Sequence, residues 1–166
     1  MTLQRRHRLE LRADGSHGLV GYAAVFEERC DLGYCSESIM RGAFGQSISQ
    51  NDVVCLVDHD PGRLLGRTSS GSLTLREDTH GLAFNLDLPD TSTGRDVLAL
   101  AQRRDISGCS IGFLIEQESW SGRHRTLERV DLKEISIISC WPAYSGTEVK
   151  PRSRSVTMAR RWLQLL

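Results

Sequence analysis

"LLGRTSSGSLTLREDTHGLAFNLDLPD", residues 64–90, contains two runs in which apolar and polar residues alternate. Leu73 and Leu75 alternate with polar neighbours, and so do Leu82, Phe84, Leu86 and Leu88. A period of two puts one face of a segment on a core and the other toward water, which is strand geometry and not helix geometry. "SSGS" (69–72) and "DTHG" (78–81) supply the turn residues between runs. This stretch therefore predicts successive strands and a β-rich fold.

Outward from it the pattern persists. "HGLVGYAAVFEE" (17–28) follows a glycine-containing turn and carries β-branched and aromatic residues, the signature of a first strand. "DVVCLVDH" (52–59) is a short apolar run ending in charge, a buried strand emerging at a rim, with a turn expected at Pro61-Gly62. "GCSIGFLIEQESW" (108–120) and "RTLERVDLKEISIISC" (125–140) read as two more strands. Helices are few. "RGAFGQSISQN" (41–51) predicts a short one, with Ala43, Phe44 and Ile48 on one face. "TSTGRDVLALAQRRD" (91–105) has Thr and Ser cap candidates, an apolar face of Val97, Leu98 and Ala101, and Arg103 and Arg104 at its C-terminal end. The βαβ alternation is too sparse for a doubly wound sheet, so a mainly β, barrel-like core with peripheral helices is expected.

The totals narrow the function classes. A chain of 166 residues suits one domain. With 39% hydrophobic and 25% charged residues it reads as soluble and globular. Lys+Arg and Asp+Glu balance at 21 each, so no global field recruits nucleic acid or an anionic membrane, and neither is expected as a partner. No apolar run approaches the roughly 20 residues that span a bilayer. "MTLQRRHRLELRADG" has no apolar core behind its basic residues, so no secretory signal is expected. The five cysteines, Cys30, Cys35, Cys55, Cys109 and Cys140, are an odd number and read as reduced thiols. Cys30, Cys35, Cys55 and His59 match no compact zinc spacing and no CxxC pair exists, so neither a metal nor another cofactor is expected. The chain from Lys150 onward differs in kind: five basic residues, no acidic ones, and a helical stripe of Val156, Ala159, Leu163 and Leu166. The domain is accordingly expected over 1–150, with a basic linker and short amphipathic helix over 151–166.

Three strands carry chemistry. In "GCSIGFLI" Ser110 and Gly112 point one way while Cys109, Ile111 and Phe113 point toward the core. Ser110 is either a serine at a bulge or strand end, or a nucleophile on the less crowded face, with Gly108 and Gly112 clearing room for a peptide. His59, in "VDHDPGRLLG" (57–66), stands at the rim of a buried strand, where it can titrate near neutrality and accept a serine proton. The alternative is a polar loop residue satisfied by Asp58 or Asp60. His7, His17, His80 and His124 lie in charged or turn segments. Glu134, in "DLKEISIISCWPAY", shares a face with Ser136, Ile138 and Cys140. Burying a carboxylate unpaired is costly, and pairing with a histidine relieves that cost while orienting the ring. A water-facing glutamate or a salt bridge to arginine is the alternative.

Six segments in order, "GYAAVF" (21–26), "ESIMRGAF" (37–44), "DHD" with "LLGR" (58–67), "GLAFNLDLPDTSTGRDV" (81–97), "ISGCSIGF" (106–113) and "LKEISIISCWPAY" (132–144), resemble the prohead maturation serine proteases of tailed bacteriophages. These are distant relatives of herpesvirus assemblin. The resemblance runs over about residues 18–150 and implies a small β-barrel of the herpesvirus-protease type ringed by helices. It carries Ser110 over as nucleophile and His59 as general base. Assemblin relatives use a second histidine as third member; here the matching strand offers Glu134. Arg41 stands where the family often has proline, and Cys140-Trp141 precedes "PAY". The implied activity is endopeptidase cleavage of a scaffolding protein, or of the scaffolding segment of the major capsid protein, inside the procapsid in the bacterial host, with self-cleavage. A homodimer is implied by analogy with the herpesvirus relatives, and the basic tail is either a removable segment or a linker. The oxyanion hole is expected from backbone N–H groups near Arg123, Arg125 or Trp141. Two other classes stay open: a catalytically silent assembly module of the same fold, and a hydrolase using Cys109 or a Cys/His metal set.

Overall fold

The computed structural model describes residues 4–7, 10–14, 17–106, 108–139 and 148–149. In the opening stretch, β7 (Asp60–Arg67), β8 (Leu73–Glu77) and β9 (Gly81–Asp87) form where strands are expected. β8 and β9 pair antiparallel with Leu73 opposite Leu86 and Leu75 opposite Phe84, so the alternating apolar residues share one face. β9 pairs on its other edge with β3 (Gly18–Val25), placing Leu19 beside Leu86. β2 (Glu10–Asp14) and β12 (Glu148–Val149) complete a five-stranded sheet in the order β12-β2-β3-β9-β8.

A second, seven-stranded sheet is built on a long hairpin, β10 (Gly108–Ser121) and β11 (His124–Ile138). β1 (Gln4–His7) lies on the free edge of β10. The other edge of β11 takes two parallel partners in succession, β5 (Ser36–Ile39) near its start and β6 (Val54–Val57) near its end. β4 (Cys30–Asp31) then pairs with β5, and β7 with β6. Leu19, Leu82 and Leu86 of the first sheet and Cys55, Ile111, Phe113, Ile135 and Ile137 of the second bury into one continuous core.

The mainly β expectation holds, but no closed barrel forms among the described strands. Periodicity reports which face of a strand is apolar and not which edges meet, and two packed sheets leave the same trace as a barrel. Here β11 divides one edge between β5 and β6, and the pairing ends at β1, β4 and β7 without closing on itself.

Both expected helices are present at the periphery. α1 (Gly45–Gln50) is shorter than expected because residues 41–44 form a turn, and Phe44 N–H donates to Glu77 Oε1 at 2.9 Å. Ala43 and Phe44 are buried, with Ile48 packed against the core. In α2 (Ser92–Arg103) Thr91 Oγ1 caps Gly94 N–H at 3.2 Å, Val97 and Ala101 are buried, and Arg104 ends the helix in a left-handed conformation. The tail beyond Lys150, with its expected boundary and helical stripe, lies outside the described residues.

Candidate active site

Alternation along β10 and β11 gives their hairpin two unlike faces. Cys109, Ile111, Phe113, Ile135 and Ile137 go into the core, while Ser110 and Gly112 share the opposite face with Glu134 and Ser136. Ser110 stands directly across from Ser136, and Gly112 across from Glu134. This polar face is not open. Ser110 and Ser136 are 0% exposed and Glu134 7%. The sequence suggested that Ser110 faces the less crowded side; it is instead fully enclosed, and its Oγ makes no hydrogen bond among the described residues. A buried hydroxyl without a partner costs about 1–3 kcal/mol, so such a group calls for an explanation.

His59 reaches this face through a turn. β6 runs parallel to β11 with Leu56 beside Ser136 and Val57 beside Ile137. The chain then reverses over Asp58 and His59 to β7, with Val57 pairing Asp60. Both turn residues are left-handed, with φ of 51° and 60°, the geometry of a two-residue hairpin turn in which Asn-Gly is favoured. Asp and His are among the side chains that tolerate this region best, but holding them there still draws on surrounding structure. The expected turn at Pro61-Gly62 is not the reversal; residues 61–63 bulge out of β7, with Gly62 N–H donating to Asp60 Oδ1 at 2.8 Å.

The histidine ring closes onto Glu134: His59 Nδ1 is hydrogen-bonded to Glu134 Oε1, and both side chains are almost fully buried. Asp58 and Asp60, the alternative partners, are engaged elsewhere. Asp58 binds Ser139 and Asp60 binds Gly62 N–H. His59 N–H donates to Ser136 Oγ at 3.3 Å. Ser136 thus sits between Ser110, its cross-strand neighbour, and the backbone of His59. Its importance was hidden in the sequence, where it showed only as a residue two positions beyond Glu134 on the same face.

Gly112 has a different purpose from the one its sequence suggested. A Cβ there would stand 2.5 Å from Glu134 Cγ and 2.7 Å from Oε1. The glycine clears space for the glutamate side chain that holds His59, not for a peptide.

Other candidates are elsewhere. Arg123 and Arg125 lie at the far end of the hairpin, where Arg125 pairs with Trp120 in register, roughly 30 Å from Ser110 at the rise of a strand. Arg123 binds the carbonyls of Gly33 and Tyr34, and Arg125 pairs with Glu37. Neither can supply an oxyanion hole near Ser110, and Trp141 lies outside the described residues. His124 is held between the hydroxyls of Ser36 and Ser38, and His80 packs edge-on against Tyr22. Burial raises the Cys109 thiol to about 12, and Cys55 is likewise raised by burial. Cys109 is therefore a protonated core residue and a poor nucleophile. No group of three or more His, Cys, Asp or Glu that could hold a metal is found among the described residues.

The arrangement is a hydroxyl, an imidazole and a carboxylate on three adjacent strands, with the carboxylate on Nδ1, as acyl-transfer chemistry requires. No curated protein matches the sequence. Among solved structures, the bacteriophage T4 capsid assembly protease, gp21, is similar in fold, with a TM-score of 0.59 at 10% identity over 85% of this chain and 100% of that one. A sequence model of the caudovirus prohead serine proteases matches residues 3–161, a span that takes in Ser110, His59 and Glu134. The chain belongs to the caudovirus prohead serine protease family.

Proposed function

We propose that this chain is the serine endopeptidase of procapsid maturation, with Ser110 as nucleophile, His59 as general base and Glu134 orienting the imidazole. The observation that carries the reading is the Ser110 hydroxyl: buried, without a hydrogen bond among the described residues, and directly opposite Ser136 of β11, the serine that holds His59. A serine kept for packing alone would be replaced by alanine without loss.

In this reading His59 Nε2 takes the Ser110 proton as Oγ bonds to the scissile carbonyl carbon. The imidazolium is stabilised by Glu134 on Nδ1. The carbon–nitrogen bond then breaks, His59 gives the proton to the departing amine, and an acyl-enzyme remains. Water, deprotonated by His59, releases the acyl group and restores the hydroxyl. Backbone N–H groups would hold the oxyanion.

Family membership points to capsid proteins as the substrate class, and the T4 neighbour is itself a capsid assembly protease. We assign the scaffolding protein, or the scaffolding segment of the major capsid protein, as substrate, cleaved within the procapsid, together with self-cleavage. A homodimer is part of the same proposal, by analogy only. No described helix is long and apolar enough to cross a membrane. Co-expression with the neighbouring capsid gene product tests the assignment. Shortening of the capsid protein that vanishes in Ser110→Ala supports it, and shortening that persists in Ser110→Ala refutes it.

One observation favours a second reading, the catalytically silent assembly module. Ser110 has no exposed surface, and the backbone of β1 runs along its strand with His7 opposite Ser110. A fluorophosphonate that labels neither the full chain nor a chain lacking residues 1–8 would favour the silent module. Labelling lost in Ser110→Ala favours the protease.

A further inference from the structure

The turn that carries His59 does not stand alone. Three of its polar groups besides the His59 ring end on a short piece of β11 and the residue just past it. Asp58 N–H donates to Ile137 O at 2.9 Å, and His59 N–H donates to Ser136 Oγ at 3.3 Å. The Asp58 carboxylate takes both polar groups of Ser139: Oδ1 accepts its N–H and Oδ2 its hydroxyl, each at 2.7 Å. Arg63 Nη1 approaches the same carboxylate at 3.5 Å. Residues 58 and 59 both hold left-handed φ values that neither favours, so the turn needs external support to keep this shape.

We propose that Asp58 and Ser136 are positioning residues that fix the imidazole of His59 through its backbone. This rests on His59 being the general base. Glu134 holds one ring nitrogen, which sets the ring's tilt but not the position of its Cα. Where Nε2 lies depends on both, and proton transfer from Ser110 is sensitive to sub-ångström shifts. Ser136 ties the base to the strand position directly across from the nucleophile. Asp58 ties the same turn to Ser139, where the chain leaves β11. The two clamps make the distance between β6's end and β10 a property of β11 rather than of a free loop.

Asp58→Gly separates clamp from turn, because glycine adopts φ near 51° without cost and so spares the turn while removing the carboxylate. Asp58→Asn keeps an acceptor for Ser139 N–H, and its amide can donate to the Ser139 hydroxyl. In the full-length chain, the rate of Ser110 labelling by a fluorophosphonate should fall about tenfold in Asp58→Gly and in Ser136→Ala. It should return to within about twofold of wild type in Asp58→Asn. Asp58→Gly combined with Ser139→Ala should be no slower than Asp58→Gly alone, since both remove one interaction. The downfield NMR signal of the His59 Nδ1 proton should stay sharp in wild type and Asp58→Asn and broaden or vanish in Asp58→Gly. If Asp58→Gly does not fold, Ser139→Ala, which removes only the hydroxyl contact, should still slow labelling. Wild-type labelling rates and an unchanged Nδ1 proton signal in Asp58→Gly overturn the proposal, as does a shifted signal without slower labelling. If neither the full chain nor a chain lacking residues 1–8 is labelled, the base assignment is refuted instead, and the Nδ1 signal then decides the clamp by itself.

Discussion

At the scale of single residues, the site depends on pairs rather than on isolated side chains. Ser110→Ala should lower peptide cleavage by at least about 10³-fold while leaving the fold intact, measured by turnover of a capsid-derived substrate together with a thermal melt. Glu134→Gln preserves shape but cannot hold an imidazolium as a carboxylate does. Its kcat should drop by about 10²–10⁴-fold with little change in KM. Gly112→Ala is the more discriminating change. Its methyl group would meet Glu134 Cγ at 2.5 Å, so the glutamate side chain is pushed from the place where it holds His59 Nδ1. Activity should fall at least about tenfold, and adding Glu134→Ala should cost little more, because both changes break one contact. Equal and additive losses would show that Gly112 acts independently of Glu134. Thiol blockers at neutral pH should leave activity unchanged, since Cys109 is buried with its thiol raised to about 12. Ser110 and Glu134 could be placed on a polar strand face by their period-two trace and His59 at a strand rim, but their roles came from the resemblance of the surrounding motifs to a protease family. Ser136, the Asp58 clamp and the reason for Gly112 were not legible in the sequence, because each depends on which residue lies opposite on another strand.

At the scale of elements, the turns do more than reverse the chain. The link from α1 to β6 is pinned at Asp52, which accepts from the Arg67 guanidinium at 2.5 Å and from Ser69 N–H at 3.0 Å. These contacts, the Arg67 hydrogen bond first, lower its carboxyl from 3.8 to about 2. A lowered pKa contributes stability that is complete above the unfolded value and is lost as pH falls through the folded one. Asp52→Asn should therefore lower the melting temperature near neutrality, and its difference from wild type should shrink between pH 3.8 and about 2. Thermal melts of both chains across that range check the sign, and a difference that grows on acidification contradicts it. Strands and helices were legible here because each has its own hydrophobic period, and Thr91 marked the start of α2 as a cap. The reversal at Asp58-His59 was not legible. Pro61-Gly62 carries the stronger local turn signal, and only the pairing of β6 with β11 draws the reversal earlier.

At the scale of the whole molecule, a single core joins two sheets, and the site stands on the polar face of the hairpin that one of those sheets is built around. The core face of that hairpin backs directly onto the site, so packing and chemistry are coupled through β10. Phe113→Ala, which empties a fully buried position one residue past Gly112, should cost about 3–5 kcal/mol in urea unfolding. Its residual activity should fall more than the folded fraction does, because the β10 register that sets Ser110 opposite Ser136 loses its packing. Activity that tracks the folded fraction alone would separate core from site. The sequence by itself determined a mainly β chain, two peripheral helices and the apolar face of each strand, since these are written in local periodicity and residue type, while the three residues of the proposed chemistry were named through the resemblance of six motifs to a protease family. Only the tertiary structure decided that the described strands form two sheets without closing, that Ser110 is enclosed, that Gly112 makes room for Glu134 and that the Asp58 carboxylate binds Ser139 rather than the His59 ring. Those are matters of edge pairing and register, which bring together residues dozens of positions apart, and no local pattern encodes them.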